Sequence, residues 1–145
     1  MGDRDASLVQ WHLVRNALLW LLRLFAYGFH FVLALFLAGM GIVALTSGHS
    51  LTLPMLPWQG TSLTGESLIL GVVGILCVGL AVTGIARWLF PLWTLFALIM
   101  MLRGFFLTTY AFSSQSEFRT AVWLAIGAFV AFLGSLSLFR RRRRP

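Results

Sequence analysis

Arg103 is the single charge inside the apolar run from Pro91 to Tyr110. Counted along a helix from Pro91, it lies about 18 Å in and about 12 Å short of the far edge of a lipid core. A guanidinium there costs at least about 2.5 kcal/mol, so it is expected to turn toward a bundle interior and meet something anionic. That group is either a bound anion or lipid head group, or one of the chain's own carboxylates reached by the long arginine stem. Glu66 and Glu117 flank the same boundary, and Tyr110 ends the run, so these three complete the candidate set around Arg103.

A second set descends from the opposite boundary, where Arg23, Tyr27, His30 and Ala34 recur at helical steps. His30, about 9 Å in, has the chemistry of a proton relay or a metal or haem ligand. The commoner arrangement is a histidine hydrogen-bonded to a neighbouring helix. His12 and His49 fall outside the lipid on opposite sides, which leaves no second histidine for a bis-histidine haem. Met100 and Met101 are ordinary filler of a packed bundle.

No further chemistry is expected. The one cysteine, Cys77, excludes an intrachain disulfide, a Cys-x-x-Cys pair and a thiolate cluster. There is no His/Asp/Glu set at metal-ligand spacing, no serine with a paired base and acid, and no glycine-rich phosphate loop after a strand. Gly71-Val72-Val73-Gly74 is span packing. Proton-coupled efflux proteins of this size use an intramembrane carboxylate, which no span here contains. The expectation is therefore no enzyme, no metal and no cofactor.

The elements that position these residues follow from composition. The chain has 145 residues, of which 59% are apolar and 10% charged, with a mean hydropathy of +0.91. Soluble domains carry about 25% charge, and disordered chains are poorer still in apolar residues. Four stretches reach the roughly 20 residues that a bilayer requires, at 24–45, 67–86, 91–110 and 121–139. Lipid leaves backbone N–H and C=O groups no outside partner, and a barrel needs many short alternating strands, so each stretch is read as a helix. The fold class is an all-α integral membrane protein, a single four-transmembrane-helix bundle with short loops and one extended outer loop between the first two spans.

All eleven basic residues are arginine, a bias expected of a GC-rich bacterial genome. Arg4, Arg15 and Arg23 precede the first span, Arg87 joins the second and third, and Arg140, Arg141, Arg142, Arg143 and Arg144 follow the fourth. This set marks the cytoplasmic side, which places both termini in the cytoplasm and the protein in the plasma (inner) membrane. Trp11, Trp20, Tyr27, Trp88 and Trp93 fall near that boundary, while Trp58, Tyr110 and Trp123 fall near the outer one. The terminal run is read as a ligand for anionic lipid, at about 1 kcal/mol per residue. No basic stripe for nucleic acid exists. The lead of 23 residues, with Asp3 and Asp5 in it, is too long and too acidic for a cleaved signal; residues 7–23 read as a helix along the inner surface or as an extension of the first span.

Pro91 suits the first position of the third helix after a turn around Arg87. Ser114 to Glu117 is a Ser-x-x-Glu helix start. Pro54 and Pro57 exclude helix from the connection between Thr46 and Thr64, whose leucines and Trp58 hold it against the outer interface. Small residues predict close helix contacts: Ala34, Ala38 and Gly41 in the first span, Gly71, Gly74, Gly79 and Gly84 in the second, and Gly127, Ala131 and Ser135 in the fourth. The leading expectation is a protein acting by membrane helix association, as an accessory subunit of a larger complex or as a homo-oligomer. The alternative is a ligand-binding or transport bundle centred on Arg103 beneath the outer loop.

Overall fold

A computed structural model of the chain describes residues 2–48, 61–107, 112 and 114–138. Four α-helices follow one another: α1 (Gly2–Ser47), α2 (Thr61–Thr83), α3 (Leu89–Leu102) and α4 (Gln115–Leu136). The last turn of α3 widens into a π-helix, Arg103–Leu107. Each helix, with α3 taken to Leu107, is long and apolar enough to cross a membrane. No strand occurs among the described residues.

α1 differs most from expectation. The span at 24–45 is the middle of one unbroken helix of 46 residues, about 69 Å long. Residues 7–23 therefore extend the span and do not form a separate helix turned along a surface. Two features explain the continuity: no proline occurs in α1, and no glycine stands between Gly2 and Gly28. Gly48 ends it in a left-handed conformation, φ +68°, its N–H bonded to the Ala44 carbonyl at 3.1 Å. α2 begins at Thr61, so the last four residues expected in the outer connection are helical; residues 49–60, with Trp58, lie outside the described set.

The turn between α2 and α3 is short, as expected. Gly84, expected as a contact residue inside the second span, instead follows the end of α2 and opens this turn at φ +80°, where any side chain would be strained and would also meet the Arg87 guanidinium. Pro91 is the third helical residue, not the first. Its missing N–H still falls among the four amides that a helix start leaves unpaired. Ser114 caps α4, and its Oγ accepts from the Glu117 amide at 3.2 Å.

The helices form a closed ring in chain order. α1 makes its largest contact with α2 and its next with α4; α3 packs on α4 and more lightly on α2. The α1–α2 contact is backbone-close. A Cβ on Gly71 would stand 2.7 Å from Ala38 Cα, one on Gly41 would stand 2.9 Å from Leu68 N, and one on Gly74 would stand 2.7 Å from Ala34 Cβ. On the other side, Gly134 of α4 lies on the Leu22 carbonyl and Gly127 on the Phe29 ring. Gly79 faces open space, so the expected contact at that residue is not made inside the chain.

Candidate functional site

Arg15, Arg23 and Arg87 all lie toward one end of the bundle, as do the buried His30, Thr94, Ser135 and Ser137, whereas the buried Thr64 and Ser67 lie toward the other. Arg23 reaches from α1 to the end of α4, where Nε donates to Ser137 Oγ at 2.8 Å and a terminal nitrogen to the Ser137 carbonyl at 2.7 Å. The carbonyl is one of those that a helix end leaves without an intrahelical partner, and a cation there also suits the helix dipole. Ser137 Oγ in turn donates to the Gly134 carbonyl at 2.6 Å.

One turn further in, Tyr27 stacks against Phe90 of α3 with ring centroids 5.0 Å apart. His30 is fully buried and meets the same Phe90 edge-on at 5.7 Å and Phe29 at 5.3 Å. Its Nδ1 lies 3.1 Å from the Ala26 carbonyl of its own helix. A carbonyl only accepts, so Nδ1 carries a proton, and in the neutral ring Nε2 presents a lone pair. Nε2 has no partner, and the same holds for the buried indole nitrogen of Trp93. The histidine is thus bonded within α1 and not to a neighbouring helix. Its geometry is that of an oriented ligand or proton acceptor.

Thr94 and Ser135 complete this layer. Both are fully buried, and their hydroxyls lie 2.9 Å apart, joining α3 to α4. Each also donates to a carbonyl of its own helix, Pro91 for Thr94 at 2.9 Å and Phe132 for Ser135 at 2.7 Å. The two hydroxyls have two protons for three bonds, so the one that donates across the interface shares its proton with its own helix's carbonyl and the other accepts.

The Arg103 set is arranged differently from expectation. Ala97, Leu98, Met101 and Gly104 form the buried side of this helix, and Arg103, two residues from Met101, is rotated away and exposed. It faces outward and not into the bundle interior. Among the described residues no ion pair joins it to Glu66, which is half-buried on α2, or to Glu117, exposed in the first turn of α4. Tyr110 and Arg140 to Arg144 lie outside the described residues.

Two spaces accompany these groups. The larger, about 430 Å³, is an open apolar groove between α3 and α4 lined by Leu98, Leu102, Phe106, Val122 and Phe129. The smaller, about 30 Å³, lies among Leu33, Leu37, Trp93, Met100 and Met101. Acyl chains suit the first; the second has room for about one water. Among the described residues no group of three or more His, Cys, Asp or Glu is placed to hold a metal.

Sequence reasoning found the Arg23, Tyr27, His30 and Ala34 stripe, and all four point inward. It missed Trp93, Thr94 and Ser137 as interior groups and read Ser135 only as a small contact residue. A lone hydroxyl in an apolar span was the available signal. No protein-family model matches the chain, and neither a curated protein nor a solved structure is similar to it.

Proposed function

We propose that this chain is a small multi-pass protein of the bacterial inner membrane that acts by associating with other membrane helices, as an accessory subunit or as a self-assembled bundle. The observation that carries this reading is the end of α1. Leu22 is where α1 meets Gly134, near the end of α4, and every residue of the roughly 14 Å from Gln10 to Leu18 beyond it is exposed. Trp11, Val14 and Leu18 on this arm, with Leu21 beside it, are each more than half exposed. Covering a Val or Leu side chain is worth about 1.5–3 kcal/mol, so an arm of this kind favours a partner. Arg15, Arg23 and Arg87 at this end support a cytoplasmic placement of both termini, with the terminal arginines on anionic lipid. Mild-detergent extracts should give a native mass above that of one 16.2 kDa chain; a lone monomer at every protein concentration overturns the reading.

A second reading, a ligand-binding or transport bundle, rests on Arg103. Its exposed guanidinium, with no carboxylate partner among the described residues, suits an anionic lipid head group reached by snorkelling or a soluble anion. Because the side chain is exposed, Arg103→Ala is expected to change bundle stability by less than about 0.5 kcal/mol. An anion taken up by the wild type should no longer be bound. Reversible unfolding in detergent together with a binding assay separates these effects, and collapse of the folded protein on substitution would restore the structural tie.

A further inference from the structure

The open groove between α3 and α4 is apolar along its walls and cationic at one end. The two helices run antiparallel: Thr94 meets Ser135, Leu98 and Met101 pack with Ala128, and the Phe106 ring meets the Phe118 ring edge-on at 6.5 Å. Leu98, Leu102 and Phe106 form the α3 wall over about 12 Å, and Val122, Ala125 and Phe129 stand on the α4 wall. Every lining residue is apolar.

Two arginines stand where the groove ends. Arg103 precedes Phe106 by three residues, and Arg119 follows Phe118 by one. Because the helices run in opposite directions, both lie on the groove side of the Phe106–Phe118 contact, within about 5 Å of it along the helix axes. Arg103 adjoins Leu102, and Arg119 is one helical turn from Val122. Both are exposed, and among the described residues neither makes a hydrogen bond or an ion pair. The acids lie elsewhere. Glu117 is two residues from Arg119, about 200° around α4, while Glu66 is on α2 and Asp3 and Asp5 begin α1 at the opposite end of the bundle.

Two positive charges thus share the end of an apolar groove, where each raises the cost of the other. An anion between them removes that cost, and guanidinium forks match phosphate oxygens in pairs. A soluble anion would leave the groove unused. A membrane helix laid in it would bury both cations and would have to bring carboxylates into lipid to meet them. One phospholipid molecule satisfies the walls and the charges together.

We infer that this groove binds an anionic glycerophospholipid, with an acyl chain between α3 and α4 and the phosphate held by Arg103 and Arg119. This rests on the ligand-binding reading of Arg103 and names the ligand class. Arg103 reaches the phosphate by extending its stem toward the membrane surface. A zwitterionic head group is disfavoured, because it carries its own ammonium toward the same two cations.

Lipid retention read by native mass spectrometry tests this on the full chain in detergent, with phosphatidylglycerol and phosphatidylcholine of identical acyl chains as probes. The wild type should retain phosphatidylglycerol about tenfold better, the scale of one charge-assisted hydrogen bond. Arg103→Ala combined with Arg119→Ala should bring the two lipids to equal retention; both residues are exposed, so the fold should hold. Ala125→Phe fills the groove and should lower retention of both lipids about tenfold with the arginines in place. Equal retention by the wild type, or a preference that survives the double substitution, overturns the site. Retention unchanged in Ala125→Phe does so too, and if native mass falls in that variant instead, the groove belongs to a protein helix. Inorganic phosphate separates the two levels: phosphate bound through Arg103 without lipid retention rejects the lipid and keeps the anion reading, and binding of neither rejects both.

Discussion

Leucine in place of Gly71 is expected to lift α2 off α1 and to destabilise the bundle by about 3 kcal/mol or more. A Cβ there would stand 2.7 Å from both Cα and Cβ of Ala38 and closer still to its backbone nitrogen. The obstacle is main chain, which no rotamer change relieves, so the helix axes must separate. Separation would spread to the Gly41–Leu68 and Ala34–Gly74 contacts in the same seam. Association in lipid depends on such close approach, because apolar side chains gain little by leaving acyl chains for one another. Gly79→Leu is the matched control. Nothing lies within 4 Å of its Cβ position, so stability should hold or rise by up to about 1 kcal/mol through helix propensity. Denaturant titration in bicelles, read by fluorescence transfer between α1 and α2, checks both. Equal stability of the two variants would mean that the helices do not meet at Gly71.

Arg23→Ala should release the end of α4 from α1 at a cost of about 2–3 kcal/mol. Hydrogen bonds to a charged group are worth about 1.5–3 kcal/mol, and Arg23 makes two in a partly buried setting. The substitution also leaves the Ser137 carbonyl without its donor. Arg23→Lys should retain about half, since an ammonium can meet the carbonyl but lacks the planar fork that engages carbonyl and hydroxyl together. Ser137→Ala removes the bond to Nε and the hydroxyl's own bond to the Gly134 carbonyl but leaves the Ser137 carbonyl for the guanidinium, and should cost less than Arg23→Ala. In a double-substitution cycle the pair should couple by about 1 kcal/mol; additive losses would show that the two side chains do not interact.

These two predictions mark where sequence reasoning was strong and where it was not. Ala34, Ala38, Gly41, Gly71 and Gly74 were legible as contact residues because small side chains in apolar spans have few other uses. Gly79 carried the same signal and faces open space. Likewise Arg23, at the margin of one apolar run, enters the bundle, whereas Arg103, inside another, leaves it. Arg103 stands two residues, about 200° of helix rotation, from the inward-facing Met101, and nothing in the local sequence of α3 encodes that direction.

The number of apolar helices, the short turn near Arg87 and the Ser114 cap all follow from the chain's residues in order. Lipid leaves the backbone no other way to satisfy its polar groups, and turn and cap chemistry is local. The direction each helix faces does not follow in that way. A span that is apolar on every side has no polar face to turn outward, so its rotation is settled by contact with neighbouring helices. Only the assembled bundle therefore joins Thr94 to Ser135, leaves His30 Nε2 without a partner, turns Arg103 away from the interior and leaves Gln10 to Leu18 of α1 exposed.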